Sequence, residues 1–125
     1  MIVVEVLDLQ AGNYKATAQK IARRLMKQTL SGNFYLEIYL VGDTFMRKNV
    51  LAFPHPRGFP RPDLKEIPLG EIYVNPKYIS EHNENFTFML IHGFLHLLGY
   101  DHVKKDDRIA MEREETRLLR AMPTF

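Results

Sequence analysis

The chain has 125 residues, of which 46% are hydrophobic and 26% charged, and its formal net charge at pH 7 is +2. This length and balance predict one globular domain over residues 1–125 with enough apolar surface for a core, and they exclude a wholly disordered protein. Because the chain has no cysteine, disulfides, thiolate metal sites and a cysteine nucleophile are excluded, so any metal ligands must be histidines or carboxylates.

The first third of the chain predicts a strand, a helix and a second strand. Residues 1–9 are rich in Val, Ile and Leu, which favours a strand, and Glu5 and Asp8 within this stretch argue against a signal peptide. Apolar residues recur at helical spacing between positions 14 and 30. Residues 34–41 are aromatic and β-branched, as in a strand.

The middle of the chain predicts two further strands separated by a loop. Residues 42–49 form a short connection, and residues 50–53 favour a third strand. The stretch 54–68 holds five of the seven prolines, a density that excludes a helix or a central strand and predicts a long surface loop. Strand character returns over residues 69–74 and ends at Asn75-Pro76.

Two helices close the predicted fold. Residues 84–98 are strongly apolar and long enough for a buried helix that Gly99 ends, and residues 106–122 form an amphipathic helix. The irregular alternation predicts an α+β fold with a mixed sheet covered by helices. No apolar run reaches the ~20 residues that a membrane span needs, so we expect a cytoplasmic protein without a membrane partner.

The most informative stretch is the sequence from His92 to His102, which contains three of the five histidines. His92 and His96 are four residues apart and therefore share one face of the predicted helix, while His102 follows the glycine that turns the chain back. This spacing matches the ligand positions of the H-E-x-x-H-x-x-G-x-x-H proteases, but Gly93 stands where those proteases carry their glutamate base. The pattern therefore predicts a metal site and argues against proteolysis by that mechanism.

Three neutral imidazoles leave a zinc ion with its full charge and an open position, as in catalytic zinc sites. A water bound there would have its pKa lowered toward neutrality. Asp101 has three possible roles: it can bond a ligand imidazole, assist proton transfer or cap the next turn.

The run H-G-F-L-H-L-L-G-Y-D-H resembles the signature of the YbeY family, metal-dependent endoribonucleases of bacterial ribosomal RNA maturation. Val50-Leu51-Ala52-Phe53-Pro54 is similar to the family's V-L-S-F-P strand, and Gly70-Glu71-Ile72 to its G-D-I strand. The resemblance covers roughly residues 34–122. It implies the mixed-sheet α+β fold, one zinc ion on His92, His96 and His102, cleavage of single-stranded RNA, and a role in ribosomal RNA processing and ribosome quality control.

The family also has a functionally important arginine before its V-L-S-F-P strand, and the segment that carries it is several residues longer than Gly42–Asn49. Arg47 is the only arginine in that segment, and we assign the catalytic role to it, with Lys48 or Arg57 as alternatives for binding the anion. The stretch from Thr44 to Pro62 has no acidic residue and interleaves basic with aromatic residues, a composition that suits single-stranded RNA.

The sequence thus predicts a zinc-dependent endoribonuclease whose partners are RNA and the ribosome. The nucleophile is either a metal-bound water or a ribose hydroxyl. Two alternatives stay open: a ribosome-assembly factor without enzymatic activity, in which zinc joins the helix to the following loop, and a metal-dependent hydrolase of another substrate. The oligomeric state does not follow from the sequence.

Overall fold

Strands and helices alternate irregularly along residues 1–123, the part of the chain that the computed structural model describes. Residues 124 and 125, the last two of the predicted domain, lie outside the described residues. In chain order the elements are β1 (Ile2–Asp8), α1 (Lys15–Thr29), β2 (Phe34–Leu40), β3 (Val50–Pro54), β4 (Ile67–Val74), α2 (Pro76–Glu81), α3 (Phe86–Leu97) and α4 (Lys105–Ala121).

The four strands form one mixed sheet with the order β1-β2-β4-β3. The strands β1, β2 and β4 run parallel to one another, whereas β3 pairs antiparallel with β4 at the edge. This confirms the predicted α+β class with a mixed sheet. Within residues 1–123, no helix is long and apolar enough to cross a bilayer.

The core lies between the sheet and helices α1 and α3. Alternate residues of the strands, such as Leu36, Ile38 and Ile72, are fully buried beneath these helices. Gly93 lets α3 lie close to the sheet, because a Cβ atom there would stand 3.0 Å from a methyl of Val50 and 3.1 Å from a methyl of Ile72. The glycine that departs from the protease pattern is therefore a packing residue, and it fixes α3 against β3 and β4.

The proline-rich stretch corrects one prediction. Pro68 lies inside β4, which is a central strand, although the proline density had excluded one. Its partner Tyr35 stands at a register shift between Tyr35 and Leu36, where the ladder is irregular and tolerates the missing N–H. Pro54 ends the edge strand β3 opposite Gly70, whose φ of +138° and closeness to the Phe53 carbonyl require a glycine.

The short helix α2 was not predicted. Asn75 had been interpreted as the end of a strand, but its side-chain oxygen accepts a hydrogen bond from the Tyr78 N–H at 3.1 Å, and Pro76 occupies the first helical position. An asparagine cap followed by proline is a typical helix start. In α4 the side chains of Met111 and Leu118 are buried, whereas Leu119 is 37% exposed.

Candidate metal centre

Helix α3 and the turn after it bring the three predicted ligands together. His92 and His96 lie one turn apart on α3. Gly99 adopts a φ of +97°, and the N–H of Tyr100 donates to the Leu95 carbonyl at 3.0 Å, so the helix ends in a Schellman motif. The chain reverses there and carries His102 back, and one ring nitrogen from each histidine lies within 4.8 Å of the other two.

Hydrogen bonds fix the tautomers of two of these rings. The Nδ1 atom of His96 lies 3.0 Å from the Tyr100 carbonyl oxygen, which can only accept, so Nδ1 carries the hydrogen. The Nδ1 atom of His92 lies 2.7 Å from Oε2 of Glu115 and donates to that carboxylate in the same way. Each ring therefore presents the lone pair of its Nε2 atom to the space between the histidines.

The geometry of these lone pairs fits a cation. The Nε2 atoms of His92 and His96 are 3.1 Å apart. With neither atom carrying a hydrogen, two lone pairs at this distance repel each other unless a positive charge lies between them. Two nitrogens that each bind a tetrahedral ion at ~2.0–2.1 Å are ~3.3 Å apart, which is close to the observed spacing.

Burial keeps the His96 ring in its metal-binding form. The pKa of His96 is lowered from its ordinary value, first by burial and then by the nearby His92, although the bond to the Tyr100 carbonyl acts in the opposite direction. A lowered pKa keeps the imidazole neutral at physiological pH, and only the neutral ring binds a metal.

Glu115 is a site residue that the sequence interpretation missed. It lies on α4, is only 5% exposed and is 23 residues from the histidine that it holds. A signal was present, since Met111, Glu115 and Leu118 follow helical spacing and place a carboxylate on the apolar face of the helix. A buried carboxylate on such a face needs a partner, and His92 supplies it.

Three roles were predicted for Asp101, and its contacts in the structure are those of a residue that caps a turn. Its Oδ1 atom accepts hydrogen bonds from the backbone N–H groups of His102 at 2.7 Å and Val103 at 3.3 Å. These bonds hold the turn that presents His102. The remaining histidines, His55 and His82, bond to backbone carbonyls outside the cluster.

The histidines line a cleft of about 620 Å³ between β3 and α3. Lys48 and Asn49 line its rim on the strand side, and Phe88 and Met89 line the helix side. Arg47 is exposed and is not among the lining residues, so its catalytic role stays a prediction.

The other basic residues of the acid-free stretch do not reach the cleft either. Arg61 bonds Asp63 at 3.0 Å and Glu37 at 3.3 Å, on the face of the sheet away from α3. Arg57 is exposed in the proline-rich loop. The structure thus brings one cation of the stretch, Lys48, to the metal centre.

Comparison with known proteins agrees with this site. The family model described as Endoribonuclease YbeY matches residues 4–123. The chain belongs to the YbeY family. The match extends beyond the sequence resemblance to β1 and α1, which carry no ligands but complete the sheet and its cover.

Individual relatives align over more than half of the chain. Endoribonuclease YbeY of Rhizobium leguminosarum bv. trifolii (strain WSM2304) is 41% identical over an alignment of 78 residues, with coverage of 57% of this chain and 46% of the relative. The YbeY proteins of Neisseria gonorrhoeae (strain ATCC 700825 / FA 1090) and Coxiella burnetii (strain Dugway 5J108-111) are each 37% identical, over 82 and 76 residues. These alignments cover 58% and 57% of this chain and 48% and 50% of the relatives. The chain spans about half the length of the curated relatives that it matches.

Proposed function

We propose that this protein is a zinc-dependent endoribonuclease that cleaves single-stranded RNA, and that its substrate is ribosomal RNA during maturation and quality control of the ribosome. The observation that carries the proposal is the pair of Nε2 lone pairs 3.1 Å apart in an open cleft. The printed name of the relatives, Endoribonuclease YbeY, supports RNA as the substrate class. Because ribosomal RNA is cytoplasmic, this proposal places the protein in the cytoplasm.

Zinc is the metal that the donor set supports best. Three imidazoles in a tetrahedral arrangement with one position left open are typical of catalytic zinc sites. His92, His96 and His102 would hold the ion, which supplies Lewis acidity beside a phosphate and a lowered pKa for a coordinated oxygen.

The surrounding residues orient the ligands and the substrate. Glu115 and the Tyr100 carbonyl hold the Nδ1 hydrogens of His92 and His96, so that both Nε2 atoms face the same point. Lys48 at the rim offers a charge for a phosphate, and the half-buried ring of Phe88 offers a face for a base. Arg47, next to Lys48 in the exposed segment, is the predicted catalytic arginine. Because it does not line the cleft, it would contact only the part of the substrate that extends beyond the cleft.

A comparison of two histidine variants tests this proposal. His96→Ala removes a ligand, whereas His82→Ala removes an exposed histidine that lies outside the cluster. We expect the unchanged protein and His82→Ala to cleave a fluorescent single-stranded RNA, and His96→Ala to retain the fold but lose cleavage. Equal cleavage by His96→Ala and the unchanged protein would contradict the proposal and indicate a contaminating nuclease.

The second candidate is a ribosome-assembly factor in which zinc joins α3 to the following turn. The position of Arg47 outside the cleft lining favours it, because no arginine then faces the ion from this segment. Association with ribosomal particles by His96→Ala, together with no RNA cleavage by the unchanged protein, would support this candidate over the enzyme.

A further inference from the structure

A second cavity adjoins the metal centre on the side of α4. It has a volume of about 320 Å³, and its lining includes Arg108, Met111 and Glu115 of that helix. Phe88, His92 and His102 line both this cavity and the main cleft. His92 and His102 therefore lie between the main cleft and the second cavity, so a flexible chain that crosses these histidines can contact both.

The main cleft and the second cavity each have one strongly basic side chain in their lining. Lys48 lines the main cleft and Arg108 lines the second cavity, and both are exposed. Within residues 1–123 neither forms an ion pair with a carboxylate. In the part of the chain that the structure describes, Arg108 does not pair with Glu112, four residues further along α4, whereas Glu114 pairs with Arg117. The guanidinium of Arg108 is thus available to an external anion.

The carboxylates of the second cavity are partly engaged elsewhere. Glu115 is bonded to His92 and buried. Glu112 is exposed and also lines a groove on the outer side of α4 together with Arg113, Arg117 and Arg120. An anion beside Arg108 therefore meets one carboxylate that is bonded to His92 and one exposed carboxylate that also faces the arginines of the outer groove.

We propose that Arg108 and Phe88 form a second RNA subsite, so that a single strand crosses the three histidines from Lys48 on one side to Arg108 on the other. The inference rests on the proposed endoribonuclease function. Arg108 binds a phosphate that neighbours the scissile one, since a single strand that crosses the site needs a cation on each side. The Phe88 ring, whose centroid is 6.4 Å from that of His92, stacks on a base at the boundary between the main cleft and the second cavity.

Binding of a single-stranded oligonucleotide whose 2′-O-methyl groups block cleavage tests this subsite. The variants are Arg108→Gln, Phe88→Leu, which keeps an apolar side chain at a half-buried position, and the control Arg113→Gln on the outer side of the same helix. Fluorescence anisotropy gives the affinity at several salt concentrations, and metal analysis confirms that every variant carries the same zinc content. Cleavage of unmodified RNA by the unchanged protein is measured in parallel.

We expect Arg108→Gln to bind the oligonucleotide about tenfold more weakly than Arg113→Gln, because a charge-assisted contact is lost. The slope of log affinity against log salt should fall by ~0.7, the value for one phosphate contact on a single strand. Phe88→Leu should weaken binding by about tenfold without changing that slope, since stacking involves no counterion release.

Two results would overturn the subsite, and they separate it from the proposed function. If the unchanged protein cleaves RNA while Arg108→Gln and Arg113→Gln bind it with equal affinity and slope, the subsite is wrong and the function stands. If the unchanged protein neither binds nor cleaves RNA, both the subsite and the function are wrong.

Discussion

The bond between His92 and Glu115 gives a quantitative prediction for metal affinity. Glu115→Gln keeps an oxygen that can accept the Nδ1 hydrogen of His92, but it removes the negative charge from a side chain that is only 5% exposed. Glu115→Ala removes the acceptor as well and leaves that N–H without its partner. Loss of a partner that orients a metal-binding histidine typically lowers affinity 10- to 100-fold.

The 2.7 Å bond and the burial of Glu115 place the two variants within this range. Glu115→Gln should bind zinc about tenfold more weakly, or ~1.4 kcal/mol, since the hydrogen bond survives without its charge. Glu115→Ala should approach a 100-fold loss, or ~2.8 kcal/mol, because the histidine tautomer is no longer fixed.

Competition with a zinc-binding dye measures both affinities, and Glu114→Gln is the matched control. Glu114 is the neighbouring residue on α4, but it pairs with Arg117 and does not touch the histidines. Zinc affinities of Glu115→Gln and Glu115→Ala within about twofold of the control would refute the positioning role of Glu115.

Three further predictions concern packing and substrate binding. Gly93→Ala should lower the free energy of unfolding by ~1–3 kcal/mol, because the added Cβ meets methyls of Val50 and Ile72; an unchanged denaturation midpoint would contradict the close packing of α3. Asn75→Ala should lower the free energy of unfolding, measured by chemical denaturation, by ~2–4 kcal/mol, because the fully buried amide caps α2 and donates to the Met46 carbonyl at 2.7 Å. A loss below ~0.5 kcal/mol would show that these bonds are not needed. Lys48→Gln should raise KM for RNA cleavage several-fold and leave kcat nearly unchanged, whereas the control Lys20→Gln at an exposed position of α1 should change neither. Equal KM values for both variants would show that Lys48 does not contact the substrate.

Local patterns predicted most of the fold and the clustering of the three histidines. The helix that carries His92 and His96 is long and apolar, so its residues alone predict it. The glycine that ends it takes a left-handed conformation, which glycine adopts without help from distant segments. The strands follow their apolar composition to within a few residues. These features depend on neighbours along the chain, so spacing alone determined them.

The features that were missed depend on contacts between distant segments. Glu115 reaches His92 only because α4 packs against α3, and Pro68 is tolerated in a central strand only because its partner strand shifts register at Tyr35. The path of residues 42–49 likewise decides that Lys48, and not Arg47, lines the cleft. Neither periodicity nor composition records such pairings.

Metal analysis of the purified protein shows whether His92, His96 and His102 hold one metal ion. After purification without chelators and incubation with zinc, we expect about one equivalent per chain, and almost none in His96→Ala that retains its fold. Less than about half an equivalent in the unchanged protein, or equal zinc in both proteins, would contradict it.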